Sequence, residues 1–248
     1  MQIEIKTTTS KDYAIHCSWE RRAETPEEIA ARFLRMINSL RRIDPIFHSW
    51  ESGGPPAKRL DTIRDHYASE VAEGISRNDW GVPQPLYGYL FSAWTCDIPR
   101  NRRFVVRCWA GATVDSVFPN SVTLETAASD KAGPDSSAIS YRIFCAALLS
   151  MVEAWEPLDA SAYPYSLMNL NVEKLYFPAP WIQYLCPWLA KKITPPASAL
   201  VERLPDGGLL MSAATETFDV SNPKHIAVAR DIGAAMAPLN EMPWPSGC

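Results

Sequence analysis

Catalytic motifs are what this sequence lacks. It has no nucleophile elbow, no paired-histidine signature and no glycine-rich phosphate loop, so the common hydrolytic and phosphoryl-transfer chemistries have no visible carrier. The six cysteines, at positions 17, 96, 108, 145, 186 and 248, include no Cys-x-x-Cys pair, which removes the usual zinc spacing. Most of them sit in apolar strings, where a free thiol acts as a small hydrophobe. We therefore expect a reduced, cytoplasmic protein without cofactor or metal. A basic surplus is missing too: the net charge is −4, which argues against nucleic-acid binding through a basic surface. No apolar run approaches the roughly 20 residues of a membrane span. The opening Met1-Gln-Ile-Glu-Ile-Lys has neither apolar core nor cleavage pattern, so no secretion signal is expected.

What remains is an ordinary globular composition, 47% hydrophobic and 21% charged over 248 residues, enough for one large domain or two small ones. Its organising stretch is 136–156. Between Arg142 and Glu153 it carries no charge, reading Ile143, Phe144, Cys145, Ala146, Ala147, Leu148, Leu149, Ser150, Met151, Val152. A surface helix shows one apolar stripe; this one is apolar nearly all round and predicts a buried central helix. Ser136 or Ser137 is the expected cap, and Pro157 the stop.

Around it the pattern predicts an α+β protein, mainly antiparallel sheet packed on that helix. Residues 3–8 and 13–17 alternate as an N-terminal hairpin. His16 and Cys17 are strand neighbours pointing to opposite faces, so they pack and do not pair. Thr25-Pro26-Glu27-Glu28 is a capping box opening a helix with Ile29, Phe33, Ile37 and Leu40 inward. Residues 46–51 read as extended, with His48 packed beside Trp50. Residues 61–75 read as one helix and 76–85 as turn-rich. Stretches 86–95, 103–112 and 121–127 read as a three-stranded meander, with a solvated Arg100, Arg102, Arg103 turn. Residues 160–179 look irregular, with a short strand near 166–170. Trp181, Tyr184, Leu185, Trp188 and Leu189 fall at helical spacing interrupted by Pro187; two lysines are too few for a membrane-surface helix. A hairpin with an Asp206-Gly207 turn spans 200–215, an Asn222-Pro223 start opens a helix to about 237, and residues 241–248 form a loosely held tail.

The ends rhyme as two strand–strand–helix units, each with a Glu (Glu20, Glu216) and a capped proline. The chain is then one domain over 1–248, with pseudo-related halves near 1–135 and 136–248; common capping signals are the competing explanation. Charge is uneven. Residues 111–160 hold two basic and seven acidic side chains. The bland reading is a solvated acidic face. The sharper one is a docking surface for a basic partner, carried by Asp115, Glu125, Asp130 and Asp135.

Several landmarks resemble one family. These are Gly207-Gly208-Leu209-Leu210, then Thr215-Glu216-x-Phe218-Asp219 and Asn222-Pro223-x-His225 before an alanine-rich helix. Ile43-Asp44-Pro45-x-Phe47-x-Ser49-Trp50 and Gly88-Tyr89 complete the set. Residues 112–163 add nothing to it. The pattern is similar to the bacterial polymorphic-toxin immunity proteins of the immunity protein 52 family. The resemblance implies a non-enzymatic antidote encoded beside a secreted toxin, often a restriction-endonuclease-like nuclease delivered by a type VI-like apparatus, which it binds and neutralises. It implies no nucleic-acid or membrane partner. The competing reading is a small hydrolase using Cys or His with a carboxylate, with His48 or His225 beside Glu51 or Glu216 as candidates.

Overall fold

The alternating stretch Tyr13–Trp19 forms strand β1, and the sheet grows outward from it on both sides. In the computed structural model, which describes residues 12–114, 120–127, 133–168 and 179–241, β1 is followed by helix α1 (Pro26–Leu40), β2 (Trp50–Ser52), α2 (Leu60–Ile63), α3 (Tyr67–Glu73), β3 (Tyr87–Thr95), β4 (Phe104–Ala112) and β5 (Asn120–Thr126). The second half runs α4 (Tyr141–Trp155), β6 (Asp159–Pro164), α5 (Tyr165–Met168), β7 (Ile182–Leu185), α6 (Pro187–Ala190), β8 (Leu200–Arg203), β9 (Leu209–Ser212) and α7 (Pro223–Met236). Nine strands make one sheet in the order β2-β3-β4-β5-β1-β6-β7-β9-β8. Every pairing in it is antiparallel. From β1 at the centre the strands jump to one edge, return to β1, and then proceed to the other edge.

The α+β class follows the sequence pattern. Helix α1 forms as its caps dictate: the Thr25 hydroxyl accepts from Glu28 N–H and the Glu28 carboxylate accepts from Thr25 N–H. Its inward stripe, Ile29, Phe33, Met36, Ile37 and Leu40, is buried. Helix α4 packs on α1, β1 and β6. Trp155 stacks on Trp19 at 5.0 Å, and Phe144 meets Trp181 at 5.4 Å. The small side chains of Ala160 and Ala162 on β6 are fully buried where α4 approaches.

Several expectations need correcting. The cap of α4 is Ser140, whose hydroxyl accepts from Ile143 N–H; Ser136 begins a separate 3-10 turn. One flank of α4 is not enclosed: Cys145, Ala146, Leu149 and Ser150 are only half-buried, and Glu153 is exposed. The expected strand at 3–8 lies outside the described residues; β1 pairs with β5 on one side and β6 on the other. Residues 46–51 begin with a 3-10 turn at Pro45–Phe47 before β2. His48 is exposed; Phe47 stacks on Trp50 in its place. The helix expected over 61–75 breaks at the 3-10 segment Arg64–His66.

The strand expected near 166–170 does not form over 166–168, which belong to α5, and 169–170 lie outside the described residues; the strand here is β6, over Asp159–Pro164. Where a broken helix was expected at 181–193, the chain forms β7 and only one turn of α6. All four β7 side chains are buried. A strand covered on both faces loses its alternation, so its apolar run imitates a helix. The expected hairpin at 200–215 forms as β8 and β9, and Asp206 Oδ1 accepts from Gly208 N–H at 2.8 Å. Helix α7 starts at the expected Asn222 cap, with Ala229, Ile232 and Met236 buried and Ile226 half-buried. Of the tail, residues 242–248 lie outside the described residues.

Candidate functional site

The hydrolase candidates can be read directly from geometry. His225 and Glu216 do meet, Nε2 to Oε1 at 2.9 Å. The other ring nitrogen, Nδ1, accepts from Asp219 N–H at 3.0 Å. The ring proton therefore sits on Nε2 and is donated to Glu216, which holds that carboxyl below its usual range. Both nitrogens are spent on fastening the 216–219 segment to α7, so neither is free to take a proton from a nucleophile. Glu51 accepts from Trp94 Nε1 and faces Arg59, while His48 is exposed. Burial pushes the thiols of Cys17, Cys108 and Cys145 up, and Cys96 to about 11, the opposite of an activated thiolate. Among the described residues no three His, Cys, Asp or Glu side chains cluster to hold a metal, and no helix is long and apolar enough to cross a membrane.

Of the four acidic candidates, Glu125 and Asp135 lie among the described residues. Glu125 lies on β5 with its carboxylate ion-paired to Arg107 and accepting from the Tyr165 hydroxyl. Asp135 caps the 3-10 turn before α4; the Ser137 hydroxyl and N–H hold its carboxyl below the usual range. Asp115 and Asp130 lie outside the described residues. Of the remaining acids in this region, Glu156 pairs with Arg32 and Asp159 is buried against Ser18.

The feature that sequence reading missed is an arm between α3 and β3. Residues 75–77 run antiparallel to 83–89, bridged at Ile75–Tyr89 and Arg77–Pro83. Ser76 N–H donates to Gly88 O at 2.9 Å and Gln84 N–H to Ser76 O at 2.7 Å. At the tip, Asn78 Oδ1 accepts from the N–H groups of Trp80 and Val82, and Arg77 donates to Gly81 O. Gly88 and Gly111 both have positive φ where the arm leaves the sheet. A Cβ on Gly88 would lie 2.3 Å from Ala110 O, so only glycine lets the strands approach here. The arm holds its apolar side chains outward: Trp80 is 85% exposed, and Val82, Leu86, Tyr87 and Leu90 are exposed around it. Trp109, opposite Leu90 on β4, is half-buried and donates Nε1–H to Tyr87 O at 2.7 Å. A turn-forming Asn78-Asp79-Trp80-Gly81 with a lone tryptophan was the available sequence signal.

With this geometry the comparisons can be placed. The model of the family described as immunity protein 52 matches residues 11–239. The chain belongs to this family. No curated protein matches it. Among solved structures it is similar to the Pseudomonas aeruginosa T6SS protein PA0821, at 10% identity and a TM-score of 0.48, covering 90% of this chain and 72% of that one. Family membership implies an immunity protein, one that acts by binding. The landmarks that resemble the family turn out to be scaffold. Asp44 caps the turn before Phe47, Trp50 Nε1 donates to Phe47 O, Phe218 is fully buried, and His225 fastens α7.

Proposed function

We propose that this immunity protein binds and neutralises a cognate secreted antibacterial toxin by protein–protein contact, inside the producing cell and its kin, and that the toxin is a restriction-endonuclease-like nuclease delivered by a type VI-like apparatus. The observation that carries the reading is the family match over 11–239. Two features support it. The net charge of −4 suits a partner whose own substrate is polyanionic, and the His225–Glu216 pair, the best catalytic candidate, is locked in a structural role.

In this reading the acidic set contributes unequally. Glu125 already neutralises Arg107, so its replacement acts on the sheet before it acts on a partner. Asp115, Asp130 and Asp135 are, in this reading, the charges that steer a basic surface. The test is co-expression with the toxin encoded by the neighbouring gene. Growth should be restored, and nucleolytic activity of the purified toxin should fall on titration with the protein. A toxin that kills and cleaves undiminished in its presence overturns the proposal.

A further inference from the structure

The arm between α3 and β3 makes no internal use of its most apolar side chains. Trp80 stands 85% exposed at its tip, and burying a tryptophan recovers more apolar area than almost any other side chain. The turn beneath it is nevertheless fixed, by two hydrogen bonds to Asn78 Oδ1 and one from Arg77 to Gly81 O. A fixed backbone presenting a free aromatic is a preorganised anchor: binding it costs little ordering. Tryptophan is also the side chain most often found carrying an interface's energy. Leu86, Tyr87 and Leu90 continue the apolar surface from the arm on to the sheet, where Leu90 lies beside Trp109.

The form and charge of the arm select the occupant. It projects, so it needs a concave partner, and a second copy would bring another projection of the same charge. Asp79 is exposed at the arm's tip and Glu73 at its base, where Lys58 pairs with Glu70 and also feels the charge of Glu73, while Arg77 is turned to its own loop. Glu70, Glu73 and Asp79 against Lys58 and Arg77 leave the arm and its base with a slight acidic excess, which disfavours an anionic membrane and fits a pocket edged with basic residues. We infer that the Trp80 arm is the toxin-docking element, inserting Trp80 into a basic-rimmed cleft of the toxin. The inference rests on the immunity reading and adds to it the surface and the shape of the partner site.

The experiment uses the full-length protein and the toxin domain of the adjacent gene, catalytically inactivated, with affinity measured by calorimetry. Trp80→Ala should weaken binding roughly 30-fold or more, the scale of a single anchor residue, and Leu86→Ala should weaken it less. Asp79→Lys should slow association at low salt. Leu200→Ser, on exposed β8 at the far sheet edge, should bind as wild type. Because Trp80 is exposed, its replacement leaves the fold intact, which circular dichroism and melting would check. If wild type binds and Trp80→Ala binds equally well, the arm is not the docking element. If wild type itself fails to bind, the immunity reading fails first. Self-association of the protein alone, or binding to anionic vesicles, that Trp80→Ala abolishes would assign the arm to another occupant and overturn the inference.

Discussion

Asp159 shows what a single buried carboxyl does to this protein. It is 5% exposed on β6 and accepts from the Ser18 hydroxyl at 2.6 Å. Burial raises its pKa from 3.8 to about 7. Between those values the folded chain keeps a proton that the unfolded chain has released, so this group's contribution to stability falls as pH rises through that window and stays low above it. Asp159→Asn keeps an acceptor for Ser18 and removes the titration. It should resist urea better than wild type at about pH 8, with the gap closing by about pH 4. Each pKa unit corresponds to about 1.4 kcal/mol, so the gap is at most on the order of 4 kcal/mol. A gap independent of pH would place the cost in packing.

Helix α4 illustrates how one element is held by groups far away in sequence. Its last carbonyls, Ala154 O and Trp155 O, accept from Arg32 and Arg22. Both guanidinium groups face Glu24, whose side chain is 4% exposed: Arg32 Nε at 2.8 Å and Arg22 Nε at 3.1 Å. These are charge contacts off the hydrogen-bond direction, since Glu24 has no aligned donor. The cations also suit the negative end of the helix. Arg32→Ala leaves that carboxylate half-compensated and should cost about 3 kcal/mol of unfolding free energy. Arg32→Lys, which keeps charge but loses the fork, should cost less. Equal losses in urea titration would make the effect one of side-chain volume. At the other end of the network Thr25→Ala removes the α1 cap and should cost about 1 kcal/mol.

At the scale of the molecule, β1 decides how the halves relate. It pairs with β5 of the first half and β6 of the second, and α1 packs on α4. Each half on its own would expose one edge of β1 or of β6 and an apolar helix face. Heat unfolding followed by fluorescence and by far-ultraviolet dichroism should therefore give one coincident transition. Fragments 1–135 and 136–248, expressed separately, should each fail to fold. An independently folded half would establish two domains with a divisible core.

The sequence by itself determined whatever is written in neighbouring residues. The Thr25 capping box, the Asn222-Pro223 start and the Asp206-Gly207 turn all formed as read, because capping and turn chemistry acts over a few residues. The meander of β3, β4 and β5 was legible because one face is less buried, which preserves alternation. The tertiary structure decided the rest. β7 is a strand because layers bury both its faces, a property no local pattern records. The central place of β1 depends on partners more than 100 residues away. The Trp80 arm read as turns because its form comes from cross-chain hydrogen bonds between 75–77 and 83–89, and its exposure is set by what does not pack against it.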